Sequence, residues 1–164
     1  MWPSYTLVQN DPTKLGFFYW RLNLDRLLTK DSLAKKGMEF DNIDCPICHS
    51  EPETVNHIFK ECSRVQEVWR LINNWWQIFS TDRMELNRRN EDSNKMVIAK
   101  KVVWYAFLWT VWKKRNDSVF NGVPFTPSLI ANDVQSTAFF WFHNHCKLGS
   151  SVSWMDWCCS PNAL

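Results

Sequence analysis

Apolar positions recur at helical intervals through much of this chain, with polar breaks between them. Leu15, Phe18, Leu22 and Arg26 step at helical spacing, and Phe17, Trp20, Leu24 and Leu27 widen the stripe, predicting a helix over 15–28. The run Phe17-Phe18-Tyr19-Trp20 also fits a short buried strand, but the pattern carries on through Leu28 as a helix. Thr29 to Gly37 reads as a complete short helix. Thr29 or Asp31 can cap it, Lys35 and Lys36 suit its negative end, and Gly37 suits the left-handed position beyond. Thr54 can cap a short helix carrying His57, Ile58 and Phe59, both apolar residues reading as core. Ser63 can cap the next, over 64–79, whose stripe is Val65, Val68, Trp69, Ile72, Trp75, Trp76 and Phe79.

The polar run 80–94 reads as an exposed linker and 95–116 as a long helix. Its apolar part, Val102 to Trp112, would span about 16 Å, against about 30 Å for a bilayer core, so a buried helix is expected rather than a membrane segment. Asn121-Gly122 signals a turn. Thr126 and Pro127 suit the start of a last helix, with the stripe Ile130, Val134, Ala138, Trp141 and Phe142 extending to His145. The two long helices can pair as an antiparallel hairpin. Residues 1–12, broken by Pro3, Asn10, Asp11 and Pro12, read as irregular. So does the tail 149–164, with Trp154 and Trp157 folding back on the hairpin.

Four metal-ligating residues interrupt this pattern: Cys45, Cys48, His57 and Cys62, spaced C-x2-C-x8-H-x4-C. A C-x2-C pair sets two thiolates on one side of a tight turn, and Pro46 helps fix it. His57 and Cys62 fall on adjacent faces of a short helix or of a helix and its exit. Three thiolates and an imidazole complete a tetrahedral Zn2+ shell with no open position, which makes the site structural. The competing readings are buried free thiols or a disulfide pair. The opening Met1-Trp2-Pro3-Ser4-Tyr5-Thr6 lacks a basic and then apolar leader, so an intracellular, reducing location (nucleus or cytoplasm, not secreted) is expected and disfavours the disulfide. His49 is a rival ligand with poor geometry directly after Cys48. Cys146, Cys158 and Cys159 remain; the last two with His143 or His145 would make a second half-site, against the plainer reading of incidental thiols. The expected fold is mainly α: a small zinc-stapled helical module over 14–79, a linker at 80–94, a long-helix hairpin over 95–148 and an irregular tail.

Phe18-Tyr19-Trp20-Arg21-Leu22, Asp25-Arg26-Leu27-Leu28-Thr29-Lys30-Asp31-Ser32-Leu33, Cys45-Pro46-Ile47-Cys48, Glu53-Thr54, His57-Ile58-Phe59 and Cys62 together resemble the reverse-transcriptase zinc-binding domain. That family follows the polymerase in plant-type LINE (non-LTR) retrotransposon polyproteins. The resemblance is close over Lys14 to Phe79. Lys113-Lys114-Arg115-Asn116-Asp117-Ser118-Val119-Phe120 resembles a downstream segment often found in the same proteins. Leu28 departs from the family, which usually has proline before Thr-Lys; the position lies outside the metal shell. The resemblance implies one structural Zn2+ held by Cys45, Cys48, His57 and Cys62, and RNA, DNA or the reverse transcriptase itself as partner.

Charge and composition temper that implication. The formal charge of +2 falls to about +1 with three thiolates and one Zn2+, short of a dedicated nucleic-acid binder. Basic residues cluster at Lys35-Lys36, Arg88-Arg89, Lys100-Lys101 and Lys113-Lys114-Arg115, as solvated helix faces or phosphate contacts. Eleven tryptophans favour a second expectation, a helical module that docks on another protein while zinc only stabilises the fold. Trp75-Trp76 could stack nucleobases, but both lie on the apolar stripe, which favours core. With no paired aspartates after an aromatic, no P-loop, no G-x-S-x-G and no H-E-x-x-H, no catalysis is expected.

Overall fold

A computed structural model of the chain describes residues 14–76, 94–146, 151–159 and 161. The expected irregular N-terminus, nearly all of the expected linker at 80–94, and Phe79 lie outside them. The described residues are mainly helical, without a named strand: α1 (Lys14–Asn23), α2 (Lys30–Ala34), a π-helical turn (His57–Glu61), α3 (Ser63–Trp76), α4 (Asn94–Asn121), α5 (Pro127–His145) and α6 (Trp154–Cys159). No helix among them is long and apolar enough to cross a membrane. The chain forms two compact units, one of Met1–Glu67 with Val111–Pro127, the other of Val68–Thr110 with Ser128–Leu164.

In the first unit, α1 buries Leu15, Phe18 and Tyr19 and turns Phe17 and Trp20 outward. It ends at Asn23, short of the expected Leu28. Asp25 takes a left-handed backbone (φ 52), and the N–H of Arg26 reaches back to the carbonyl of Arg21 at 2.7 Å, which closes the helix end. Leu27 is therefore buried from outside the helix. Of the two candidate caps for α2, Thr29 serves: its hydroxyl accepts from the N–H of Ser32 at 3.2 Å. Asp31 instead pairs with Lys35 at 2.8 Å. Gly37 (φ 90) follows the helix, and the N–H of Met38 returns to the carbonyl of Leu33. A narrow hairpin then forms around one antiparallel bridge, Asp44 with Pro52. The N–H of Cys45 donates to Glu51 and that of Glu53 to Ile43, at 2.7 and 2.8 Å.

The second unit is built on aromatic packing. Trp157 is fully buried, stacks on Phe142 at 5.5 Å, meets the edge of Trp76 at 5.0 Å, and donates its indole N–H to the carbonyl of Gln135. Trp75 donates to the carbonyl of Cys158. Trp76 is thus core, and the half-buried Trp75 packs on Trp157 at 5.6 Å rather than standing free as a stacking platform. Part of the expected irregular tail is a helix, α6. The Ser153 hydroxyl accepts from the N–H of Asp156 and donates to its carboxylate, which closes the first turn.

Candidate metal centre

Three local structures bring the four ligands together, all in the first unit. The first is the Cys-Pro-Ile-Cys turn. The sulfur of Cys45 accepts backbone N–H groups from Cys48 and Ile47, while the N–H of His49 bonds the carbonyl of Cys45 at 2.9 Å. His49 closes this turn in a left-handed conformation (φ 57) with its ring exposed, and it stands outside the ligand cluster.

The second is the π turn. Thr54 accepts from the N–H of His57 at 2.9 Å, as its hydroxyl predicts. The N–H of Cys62 then bonds the carbonyl of His57 at 2.7 Å, five residues back. Nε2 of His57 lies 3.3 Å from Sγ of Cys48.

The third is the start of α3. Ser63 is the helix's first residue, and Cys62, not Ser63, stands at the cap. Cys62 has left helical geometry (ψ 118), its carbonyl takes the N–H of Gln66, and its sulfur takes the N–H groups of Val65 and Arg64. A thiolate there faces the positive end of a fourteen-residue helix.

One donor atom from each of Cys45, Cys48, His57 and Cys62 lies within 4.8 Å of the other three. Tetrahedral bonds of about 2.3 Å to sulfur and 2.0–2.1 Å to nitrogen put neighbouring donors roughly 3.5–3.8 Å apart, so the set fits one Zn2+ with small adjustments. Sulfur and imidazole donors select against Mg2+ and Ca2+. Cys45 and Cys62 are fully buried, His57 nearly so, and Cys48 is half-buried. The hydrogen bond between the sulfurs of Cys45 and Cys62 holds Cys62 below the ordinary thiol range and pushes Cys45 above it. Burial raises Cys45 further and opposes the lowering of Cys62. Beside Cys48 a cleft of about 570 Å³ opens, lined in part by Ile47, His49, Arg64 and Phe125; Arg64 donates across it to the carbonyl of Phe125 at 2.8 Å.

Among the described residues this is the one cluster of three or more such ligands; the side chain of His145 lies outside them. Cys159 donates to the sulfur of Met155, and Nδ1 of His143 lies 3.3 Å from the carbonyl of Val152.

One buried group escaped the sequence reading. Glu53 is wholly buried, and its carboxylate accepts from Nε and Nη2 of Arg115, both at 2.5 Å, and from the backbone N–H of Lys30 at 2.7 Å. Arg115 also lies over the ring of Trp112 at 5.0 Å and donates to Asn116. Arg115 is therefore buried in an ion pair rather than solvated, whereas Lys113, two residues earlier, is exposed. A signal existed in the sequence: steps of four carry the buried stripe of α4 from Phe107 through Val111 to Arg115.

Residues 1–69 match the family described as zinc-binding in reverse transcriptase. No curated protein and no solved structure matches the chain. Three thiols and one imidazole that could hold one structural zinc ion thus fall within the segment, 1–69, that matches the reverse-transcriptase zinc-binding family.

Proposed function

We propose that this chain is an intracellular structural zinc module of retrotransposon origin, one that assists nucleic-acid or polymerase contact and carries out no catalysis of its own. The gathering of Cys45, Cys48, His57 and Cys62 within 4.8 Å carries the reading. Four protein ligands leave the ion no position for water or substrate, so its work is to hold the fold. It would join the Cys45 hairpin to the π turn and to the head of α3, three pieces that share little chain. The plant-type LINE setting rests on the sequence resemblance.

Two measurements test this. Metal content of the chain purified under reducing conditions should be one zinc per chain, with loss in Cys45→Ser and His57→Ala. Binding to RNA and single-stranded DNA should weaken steeply as salt rises, because phosphate contacts release counterions. A chain free of zinc would refute the module, and no binding at low salt would remove nucleic acid as the partner.

A second reading has its own support. Phe17 and Trp20 of α1 and Leu24, the first residue past its end, are 62%, 50% and 46% exposed and fall on one side at helical spacing. That stripe favours contact with protein, the polymerase or another chain. Self-association or dye binding that disappears in Phe17→Ser/Trp20→Ser would favour this reading; a monodisperse chain without dye binding would count against it.

A further inference from the structure

The four candidate ligands and the turns that carry them all lie before residue 70. Glu53 sits at the joint between those turns. Upstream, its N–H bonds Ile43 in the hairpin whose next rung holds Cys45 to Glu51. Downstream, Thr54 caps the turn that carries His57. A carboxylate at this joint is 0% exposed and is held by three donors, two of them from Arg115 on α4, 62 residues away. Trp112, one turn before Arg115, stacks with Phe18 at 6.3 Å, and Phe18 meets Phe59 of the π turn at 6.5 Å. One segment of α4 thus braces both sides of the metal site. The same segment, Val111–Pro127, belongs to the compact unit that contains the ligands.

We propose that Arg115 is a positioning residue for the metal site. Its two-pronged grip on Glu53 fixes the angle between the hairpin bearing Cys45 and Cys48 and the turn bearing His57, so the working metal unit includes Val111–Pro127 as well as residues 1–69. The inference rests on the zinc reading above. Its physics is that of groups outside a metal's ligand shell. Ligands held at a fixed angle keep the ion, and losing such support typically costs ten- to a hundredfold in affinity. A buried carboxylate deprived of its arginine also becomes an uncompensated charge, which drives Glu53 toward water and pulls the joint open.

The test uses the full zinc-loaded chain and the rate at which excess chromogenic chelator strips the metal, with a thermal melt of each sample. Glu53→Gln and Arg115→Met should each release zinc at least about tenfold faster. The double variant should be no faster than the worse single, because both remove one interaction. Arg115→Lys keeps the charge without the fork and should restore only part of the retention. Lys113→Met should match the parent. Val134→Ala, buried in the other unit, should lower the melting temperature without hastening release. In Co2+-loaded samples, Arg115→Lys should alter the thiolate-to-metal absorption, which a loss of stability alone would leave unchanged. If Arg115→Met does not fold, Arg115→Lys and Glu53→Gln decide. Parental release rates in these variants would overturn the proposal, as would rates that simply track melting temperature in Val134→Ala as well. A parent chain that holds no zinc would overturn the zinc reading itself, and this inference with it.

Discussion

Cys62 is asked to do two jobs, and substitution separates them. It is one of four metal ligands, and its sulfur also accepts the Arg64 and Val65 N–H groups at the head of α3. Structural zinc contributes roughly 10–16 kcal/mol in small domains; shared over four ligands, that is about 3 kcal/mol each. At 1.4 kcal/mol per tenfold, removing the Cys62 thiolate should weaken zinc binding by about a hundredfold. The capping role is smaller, about 1 kcal/mol. A serine hydroxyl can accept the same N–H groups but stays neutral, so Cys62→Ser loses the metal job and keeps the cap. Cys62→Ala loses both, and leaves those N–H groups buried without an acceptor. Competition titration with a zinc chelator should therefore find the two variants equally weak. Urea unfolding of the metal-free chains, followed by far-UV circular dichroism, should find Ala about 1 kcal/mol less stable than Ser. Equal stability of the two would refute the cap, and parental zinc affinity in Cys62→Ser would refute its ligand role.

Thr54→Ala should remove the cap on the His57 turn, destabilise the first unit by about 1 kcal/mol and speed zinc loss, with Thr54→Ser near the parent in a chelator assay. Trp157→Ala empties a fully buried site and breaks the bond to Gln135; it should cost about 3–5 kcal/mol by urea unfolding while zinc content holds at one per chain. Zinc uptake requires the three thiols to be deprotonated, so affinity should fall as pH falls, and titration calorimetry in buffers of different ionisation heat should show protons released on binding.

The parts of the site legible in the sequence are those set by residue type at short range. The ligand spacing, the Thr54 cap, Gly37 beyond α2 and the Trp75-Trp76 positions on an apolar stripe each need only a few neighbouring residues to interpret. What stayed hidden depends on partners far along the chain or on a local choice between near-equal backbones. Arg115 looks like one of three solvated cations until Glu53 arrives from 62 residues away. The end of α1 at Asn23 turns on Asp25 taking a left-handed conformation that aspartate tolerates but does not require. The helix α6 is short and held by Trp157 docking on Phe142 and Trp76, a tertiary cause that its own few residues do not show.

The interval between His57 and Cys62 shows how a ligand spacing can encode a backbone form. In an α-helix two residues five apart point about 140° away from each other and stand about 7.5 Å apart along the axis. They could not close on one ion from there, so the expected adjacent faces of a short helix are not those of an α-helix. The structure answers with a π turn: the N–H of Cys62 bonds the carbonyl of His57, and the wider turn brings the fifth residue back over the first. The same turn releases the chain at Cys62 in extended geometry, which is what lets that residue cap α3. Four intervening residues are therefore a requirement of the site. One fewer would favour an ordinary α turn and carry the cap of α3 to a different angle, and the sulfur that serves both metal and helix would have to give up one of them.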